Sequence, residues 1–130
     1  MSNHELQRIL FVEDEADIQA VAQVALKAVG GFTVKICSCG EEAVQVAEAF
    51  APQLILSDVM MPGMDGPATL TALRRLPALA DTPAIFMTAR VLPQEVEQLR
   101  SAGAIEVIAK PFDPMTLAQQ IRDIWRQHHA

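Results

Sequence analysis

Two hydrophobic periodicities alternate along the chain. Short apolar runs, typical of strands buried on both faces, are each followed by a longer stretch with apolar residues at helical spacing. Because strands and amphipathic helices in this order pack as a parallel sheet covered on both faces, the pattern predicts an α/β fold with five strands and five helices. The predicted strands span residues 9–12, 32–37, 54–56, 84–87 and 106–109.

Capping and breaking residues place the ends of the predicted helices. Ser38 and Glu41 have the spacing of a capping box, which predicts that the second helix begins at Ser38. Asp113 is predicted to N-cap the fifth helix, with Pro114 at its first position. Glycine or proline ends the other helices, at Gly30-Gly31, Pro77 and Gly103.

Composition and charge predict one domain over residues 1–130, with its core at about 8–125. Apolar residues make up 51% of the chain and charged residues 20%, which excludes disorder caused by low hydrophobicity. The net charge of −6 argues against direct binding to nucleic acid or to an anionic membrane. The sequence has no apolar run of bilayer length and no signal-like start in MSNHELQR, so we expect a cytoplasmic protein without membrane insertion.

Two cysteines are separated by a single residue. Cys37 and Cys39 would point to the same side of a strand, which is a poor arrangement for a disulfide, so we expect free thiols. A zinc site would need two further ligands, and the histidines lie only near the chain ends, at His4, His128 and His129.

Polar residues follow four of the predicted strands at the same end, which is where open parallel sheets bind ligands. An acidic run before a helix and a lone aspartate before a turn are both common without any function. Acids, a hydroxyl and an amine at equivalent places on several strands are harder to attribute to turns alone. They are Glu13 and Asp14 after the first strand, Asp58 after the third, Thr88 after the fourth and Lys110 after the fifth.

These residue types indicate phosphoryl chemistry. If Glu13, Asp14 and Asp58 converge, their mutual repulsion favours a hard divalent cation such as Mg²⁺. A carboxylate beside that cation can act as a nucleophile on phosphorus. Lys110 and Thr88 would then stabilise the oxygens of the transferring group.

Four motifs together resemble the receiver domains of two-component response regulators. They are ILFVEDE, LILSDVMMPGMDG, FMTAR and AKPF, and the resemblance spans residues 8–125. It implies a flavodoxin-like three-layer α/β/α sandwich with strand order 2-1-3-4-5. It also implies that Asp58 accepts a phosphoryl group from a sensor histidine kinase or a histidine phosphotransfer protein.

The resemblance assigns a role to each matching position. Mg²⁺, or alternatively Mn²⁺, would be held by Asp14, by Glu13 often through water, by Asp58 and by the backbone carbonyl of Met60. Thr88 and Lys110 would bind the phosphoryl oxygens. The domain would catalyse its own phosphorylation and dephosphorylation without being a conventional turnover enzyme.

Further positions concern access to the site and signalling. Ala89 is the small residue that gives access to the site, Thr88 would shift on phosphorylation, and Pro111 would form a cis peptide that aims Lys110 inward. The family commonly has Tyr or Phe where this chain has Val107, so the resemblance does not imply the usual aromatic switch. Arg90 stands at a variable position associated with phosphoryl lifetime, and its guanidinium either contacts the phosphoryl group or lies in solvent.

Output is expected through an unknown downstream protein. The surface that the family uses corresponds here to residues 94–102, 106–109 and 114–127. The main alternative function is a pseudo-receiver, which is an interaction module that is not phosphorylated. A flavodoxin-like cofactor binder is disfavoured by acids after the first strand, and a haloacid dehalogenase-type phosphatase by Met60, where a second aspartate would stand.

Overall fold

The computed structural model describes residues 5–129, so His4, one of the histidines considered as a zinc ligand, lies outside the described residues. The strands are β1 (Arg8–Val12), β2 (Thr33–Cys37), β3 (Leu54–Asp58), β4 (Ala84–Thr88) and β5 (Glu106–Ala109). The helices are α1 (Ala16–Gln23, continued by a π-helical segment Val24–Val29), α2 (Gly40–Phe50), α3 (Gly66–Arg74), α4 (Pro93–Ser101) and α5 (Leu117–His128), with a short 3₁₀ turn at Pro77–Leu79.

All five strands are parallel and lie in the order β2-β1-β3-β4-β5. This order confirms the predicted flavodoxin-like topology. β1 and β3 are neighbours, with Val12 paired to Ser57, and Asp58 is paired to Met87 of β4. The residues that end or follow β1, β3, β4 and β5 therefore meet at one edge of the sheet.

The sheet buries an apolar face on each side. Alternate residues of β1 show why: Ile9 and Phe11 pack against α1 and α5, whereas Leu10 and Val12 pack against α2, α3 and α4. All four side chains are fully buried. The result is a three-layer arrangement, and within residues 5–129 no helix has both the length and the apolar character needed to cross a membrane.

The predicted start of α2 is wrong. The helix begins at Gly40 with Cys39 as its N-cap, and no side chain caps it there. Ser38 lies one residue too early, and its N–H donates to the Oε1 atom of Glu42 at 2.7 Å. The acid that pairs with Ser38 is therefore Glu42 rather than Glu41, because the turn before the helix shifts the register by one residue.

The predicted start of α5 is also wrong. The Asp113 carboxylate accepts the N–H of Met115 at 2.9 Å, and its carbonyl accepts those of Thr116 and Leu117. An aspartate that bonds the backbone two residues ahead forms a turn of its own. This turn contains Pro114, and the helix begins only at Leu117, with Thr116 at its N-cap.

The first helix ends at Gly30 as predicted, although its second half is π-helical. Gly30 N–H donates to the carbonyl of Ala25, five residues earlier, and Gly31 has a φ of 74°, a conformation that favours glycine. Both cysteines are free, but Cys39 lies beyond the end of β2, so the expectation that both thiols share one side of a strand is wrong. Burial raises the pKa of the Cys37 thiol to about 12, so it is uncharged at neutral pH.

Candidate functional site

Adjacent strands bring Glu13 and Asp58 together. Glu13 is the first residue after β1, and its N–H still donates to the carbonyl of Cys37 on β2 at 2.9 Å. Asp58 is the last residue of β3, and the next N–H, that of Val59, donates to Met87 of β4 at 3.1 Å. Sheet hydrogen bonds thus fix the backbone at both positions, and the residues are only 1% and 4% exposed.

Asp14 completes a group of three carboxylates. One oxygen from each of Glu13, Asp14 and Asp58 lies within 4.8 Å of the other two. Asp14 is the least buried of the three. The structure therefore brings together the side chains that the sequence nominates as metal ligands, and all of them offer the oxygen donors that Mg²⁺ prefers.

Lys110 reaches this cluster from the end of β5. Its Nζ atom lies 3.0 Å from Asp58 Oδ2 and 3.3 Å from Glu13 Oε1, and its side chain is 14% exposed. Its backbone N–H donates to the carbonyl of Thr88 at 2.9 Å, and the following bond to Pro111 is cis, as predicted. The amine therefore points inward, toward the carboxylates.

The cluster contains three carboxyl groups but only one ammonium, that of Lys110. The pKa of Glu13 is raised to about 7, because burial and, to a smaller extent, the nearby Asp58 outweigh the Glu15 N–H and Lys110, which act in the opposite direction. Burial would lower the pKa of Lys110, but Asp58 and Glu13 outweigh burial, so its pKa is raised and the amine stays protonated. One ammonium faces three carboxylates, and a divalent cation fits this imbalance.

Thr88 lies at the end of β4 and is 8% exposed. Its Oγ1 atom accepts the N–H of Arg90 at 3.2 Å, so the hydroxyl proton remains available for another acceptor. Ala89 is exposed. The guanidinium of Arg90 is 72% exposed and lies 3.6 Å from the Glu95 carboxylate, an arrangement that the sequence does not predict.

Two other nominated residues differ in their surroundings. Met60 directly follows Val59 in the loop after β3 and is 77% exposed as a residue, so the proposed ligand there is a backbone atom of an exposed residue. Val107 is half-buried, pairs with Phe86 in the sheet and packs on the side of α2, α3 and α4. The consequence of its small size for switching stays a prediction.

Sequence reasoning missed two residues that position the site. A Cβ atom at Gly66 would lie 2.4 Å from the Asp58 carbonyl oxygen and 3.0 Å from the Val59 Cα, so glycine allows α3 to begin against the end of β3. Gln19 donates from Nε2 to the Glu13 carbonyl at 2.6 Å. The glycine before Pro67 was a visible signal, whereas nothing in the spacing of Gln19 marks its contact.

Comparisons with known proteins agree with this geometry. The model of the response regulator receiver domain family matches residues 9–122. Response regulator Rre1 of Synechocystis sp. is 31% identical over 122 residues, 94% of this chain and 53% of the relative. The transcriptional regulatory protein CseB of Streptomyces avermitilis is 34% identical over 95% of this chain and 51% of its own length. The chain spans about half the length of these curated relatives.

Solved structures show the same likeness. The chemotaxis response regulator CheY4 of Vibrio cholerae matches with a TM-score of 0.84 and 28% identity, over 92% of this chain and 99% of that one. The receiver domain of the hybrid histidine kinase CckA matches with a TM-score of 0.72 and 36% identity, over 91% of this chain and 98% of that one. With its strand order and its family match, the chain belongs to the receiver domain family of two-component response regulators.

Proposed function

We propose that this chain is a phosphorylatable receiver, with a domain that spans residues 1–130 and a core at about 8–125. Asp58 would accept a phosphoryl group from a phosphohistidine of a sensor histidine kinase or a histidine phosphotransfer protein in the cytoplasm. The observation that supports this proposal is the buried Asp58 carboxylate, held 3.0 Å from Lys110 Nζ and grouped with Glu13 and Asp14.

In the proposed reaction, a carboxylate oxygen of Asp58 attacks phosphorus and forms an acyl phosphate. The bond between phosphorus and the donor imidazole breaks, and the imidazole keeps its electron pair. Lys110 contacts Asp58 Oδ2, which helps to hold the carboxylate in one orientation. The Lys110 ammonium and the Thr88 hydroxyl would then bind oxygens of the transferred group.

Mg²⁺ would be held by Glu13, Asp14 and Asp58 together with the backbone carbonyl of Met60, and Mn²⁺ offers the same coordination chemistry. When bound, the ion supplies Lewis-acid neutralisation of the phosphoryl oxygens. Glu13 is buried at this position and has a pKa of about 7, so a bound cation would favour its ionised form. The domain would promote its own phosphorylation and its own dephosphorylation, without turnover of a separate substrate.

Output would pass to a downstream protein through the surface formed by α4, β5 and α5. We propose no direct binding to nucleic acid, because the net charge of this chain is −6. Ala89, Arg90 and Val107 would modulate access, lifetime and switching.

Intact mass measurement tests the phosphoacceptor. After incubation with acetyl phosphate and Mg²⁺, we expect the mass of one phosphoryl group to be added, and we expect EDTA to prevent the addition. Asp58→Asn should abolish it. Asp65→Asn is the matched control, because it removes a nearby carboxylate whose oxygen caps α3 while asparagine keeps a capping oxygen.

Two outcomes would contradict the proposal. If the wild-type chain gains no mass from acetyl phosphate and also accepts nothing from a phosphorylated histidine phosphotransfer protein, the alternative of an unphosphorylated interaction module is supported. If Asp58→Asn still gains one phosphoryl group, the acceptor is a different residue.

A further inference from the structure

Gln19 connects three elements of the fold beside the acid cluster. It lies in the first half of α1, and its Nε2 atom donates to the Glu13 carbonyl at 2.6 Å and to Ser38 Oγ at 3.3 Å. A primary amide carries two protons, so both contacts are possible at once. Side chains of a helix lean toward its N-terminus, which lets Gln19 reach back to Glu13. This one side chain thus joins α1 to the end of β1 and to the turn before α2.

The shorter contact acts on the peptide between two of the acids. The carbonyl of Glu13 and the N–H of Asp14 belong to the same planar peptide, so a donor on that oxygen helps to fix the plane from which Asp14 departs. Glu13 is also held at two other points. Its N–H donates to the carbonyl of Cys37 at 2.9 Å, and its Oε2 atom accepts the N–H of Glu15 at 3.1 Å. Gln19 therefore supplies the contact that acts on the next residue, Asp14.

Asp14 depends more than the other two acids on its backbone. Within residues 5–129, its carboxylate has no hydrogen bond and no ion pair, although one of its oxygens lies within 4.8 Å of oxygens of Glu13 and Asp58. By contrast, Lys110 contacts the carboxylates of Glu13 and Asp58 directly. If the peptide before Asp14 could rotate freely, this carboxylate would spend less time grouped with the others.

We infer that Gln19 is a positioning residue of the proposed cation site. Its amide would hold the peptide between Glu13 and Asp14 in the orientation that groups Asp14 with the other acids, without touching the cation itself. This inference rests on the function proposed for the acids. Contacts that orient metal ligands contribute to the affinity for the ion. Gln19 should therefore determine how tightly Mg²⁺ binds, and not how the loaded site reacts.

Isothermal titration calorimetry with Mg²⁺ tests the inference. Gln19→Met keeps the length of the side chain and removes the donor, and we expect it to weaken Mg²⁺ binding about tenfold, the lower end of the usual range for such contacts. At saturating Mg²⁺, acetyl phosphate should phosphorylate this variant at close to the wild-type rate. In the metal-free protein, the ¹⁵N resonance of Asp14 should shift, because its peptide has lost a hydrogen bond.

Two controls separate this contact from its surroundings. Gln23→Met makes the same change four residues later in α1, at an exposed position, and Ser38→Ala removes only the more distant partner of the amide. Both should bind Mg²⁺ as the wild type does. Gln19→Leu is a second variant without a donor, for use if Gln19→Met does not fold.

The inference is overturned if a folded Gln19 variant binds Mg²⁺ as tightly as the wild type, or if Gln23→Met weakens binding as much as Gln19→Met. Failure of both Gln19 variants to fold would show a role in stability instead and would overturn it as well. A wild-type chain that binds no Mg²⁺ would contradict the function proposed for the acids.

Discussion

The two edges of the sheet differ in the partners of their charged side chains. At the carboxyl edge, defined by Glu13, Asp14, Asp58 and Lys110, three acids face one amine. At the amino edge, three arginines instead donate to uncharged main-chain carbonyls near the ends of helices and turns. Arg8 donates to Phe50, Arg74 to Leu79 and Thr82, and Arg122 to Gly30.

The amino edge is satisfied by the fold itself. Helix C-termini carry unpaired carbonyls and a partial negative charge, so a guanidinium completes them. Arg8 and Arg122 also lie over aromatic rings, at 4.3 Å from the Phe50 centroid and 4.4 Å from the Phe32 centroid. These contacts all lie within the chain, so they support a structural role for the three arginines.

The carboxyl edge is not balanced by the fold. Glu13 and Asp58 are buried by the strands that hold them, and burial is the main cause that raises the pKa of Glu13 to about 7. The difference is that the arginines of the amino edge have main-chain partners, whereas the acids of the carboxyl edge outnumber the cations beside them. A cation and a phosphoryl group are the partners that would use this imbalance.

The largest effect is expected from Lys110→Met at the carboxyl edge. Loss of the ammonium removes the contact to Asp58 at 3.0 Å and one proposed donor to the phosphoryl group. We expect phosphorylation by acetyl phosphate to slow about 100-fold, the usual scale for loss of one such donor. The exposed Lys35 provides the control, since Lys35→Met removes an equal charge far from the cluster. An unchanged rate for Lys110→Met would show that this edge does not use its amine.

At the amino edge, Arg74→Ala should act on stability alone. Its guanidinium also reaches Gly103, so the substitution leaves several carbonyls in neighbouring turns without a donor. We expect urea unfolding to show a loss of about 2 kcal/mol. Phosphorylation per folded molecule should not change. Arg75→Ala, at the exposed neighbouring position, should unfold as the wild type does, and equal losses for both variants would contradict this account.

The last effect concerns how the contribution of Glu13 to the free energy of unfolding depends on pH. Its pKa is about 7 in the folded chain and 4.5 without the fold, so between these values the folded state binds more protons. Without divalent ions, its contribution to the free energy of unfolding is therefore highest below pH 4.5 and falls as pH rises through 7.

Comparison of wild type with Glu13→Gln isolates this contribution. From pH 5 to 8 the wild type should lose about 2 kcal/mol of stability relative to the variant, with most of the loss below pH 7. Saturating Mg²⁺ should reduce the difference, because the ion favours the ionised carboxylate. A constant difference across this pH range in metal-free buffer would mean that Glu13 is ionised throughout.

The sequence correctly predicted the five strands and the proximity of Glu13, Asp14 and Asp58. Apolar runs identified every strand to within two residues of its observed end, because strands buried on both faces leave a continuous signal. Once the strand order is known, Glu13 and Asp58 must lie side by side. The functional roles of these residues remain the proposals made above.

The predictions that failed concern the starts of α2 and α5, which depend on contacts that residue spacing does not reveal. Asp113 could cap a helix or close a turn, and the choice of the turn moved the start of α5 to Leu117. The pairing of Ser38 with Glu42 instead of Glu41 has the same origin. The contact between Arg90 and Glu95 joins two long, exposed side chains, whose partners follow from rotamers and not from periodicity.

Gly66 allows α3 to begin in close contact with the end of β3, so Asp58 is more tightly packed on that side. Its own N–H donates to the Val59 carbonyl at 2.8 Å, and its Cα leaves no space for even a methyl group beside the Asp58 carbonyl. On this side, the main chain at the start of α3 packs directly against the main chain of Asp58. We therefore expect a displacement that starts at Asp58 to move β4 and α4 more readily than α3.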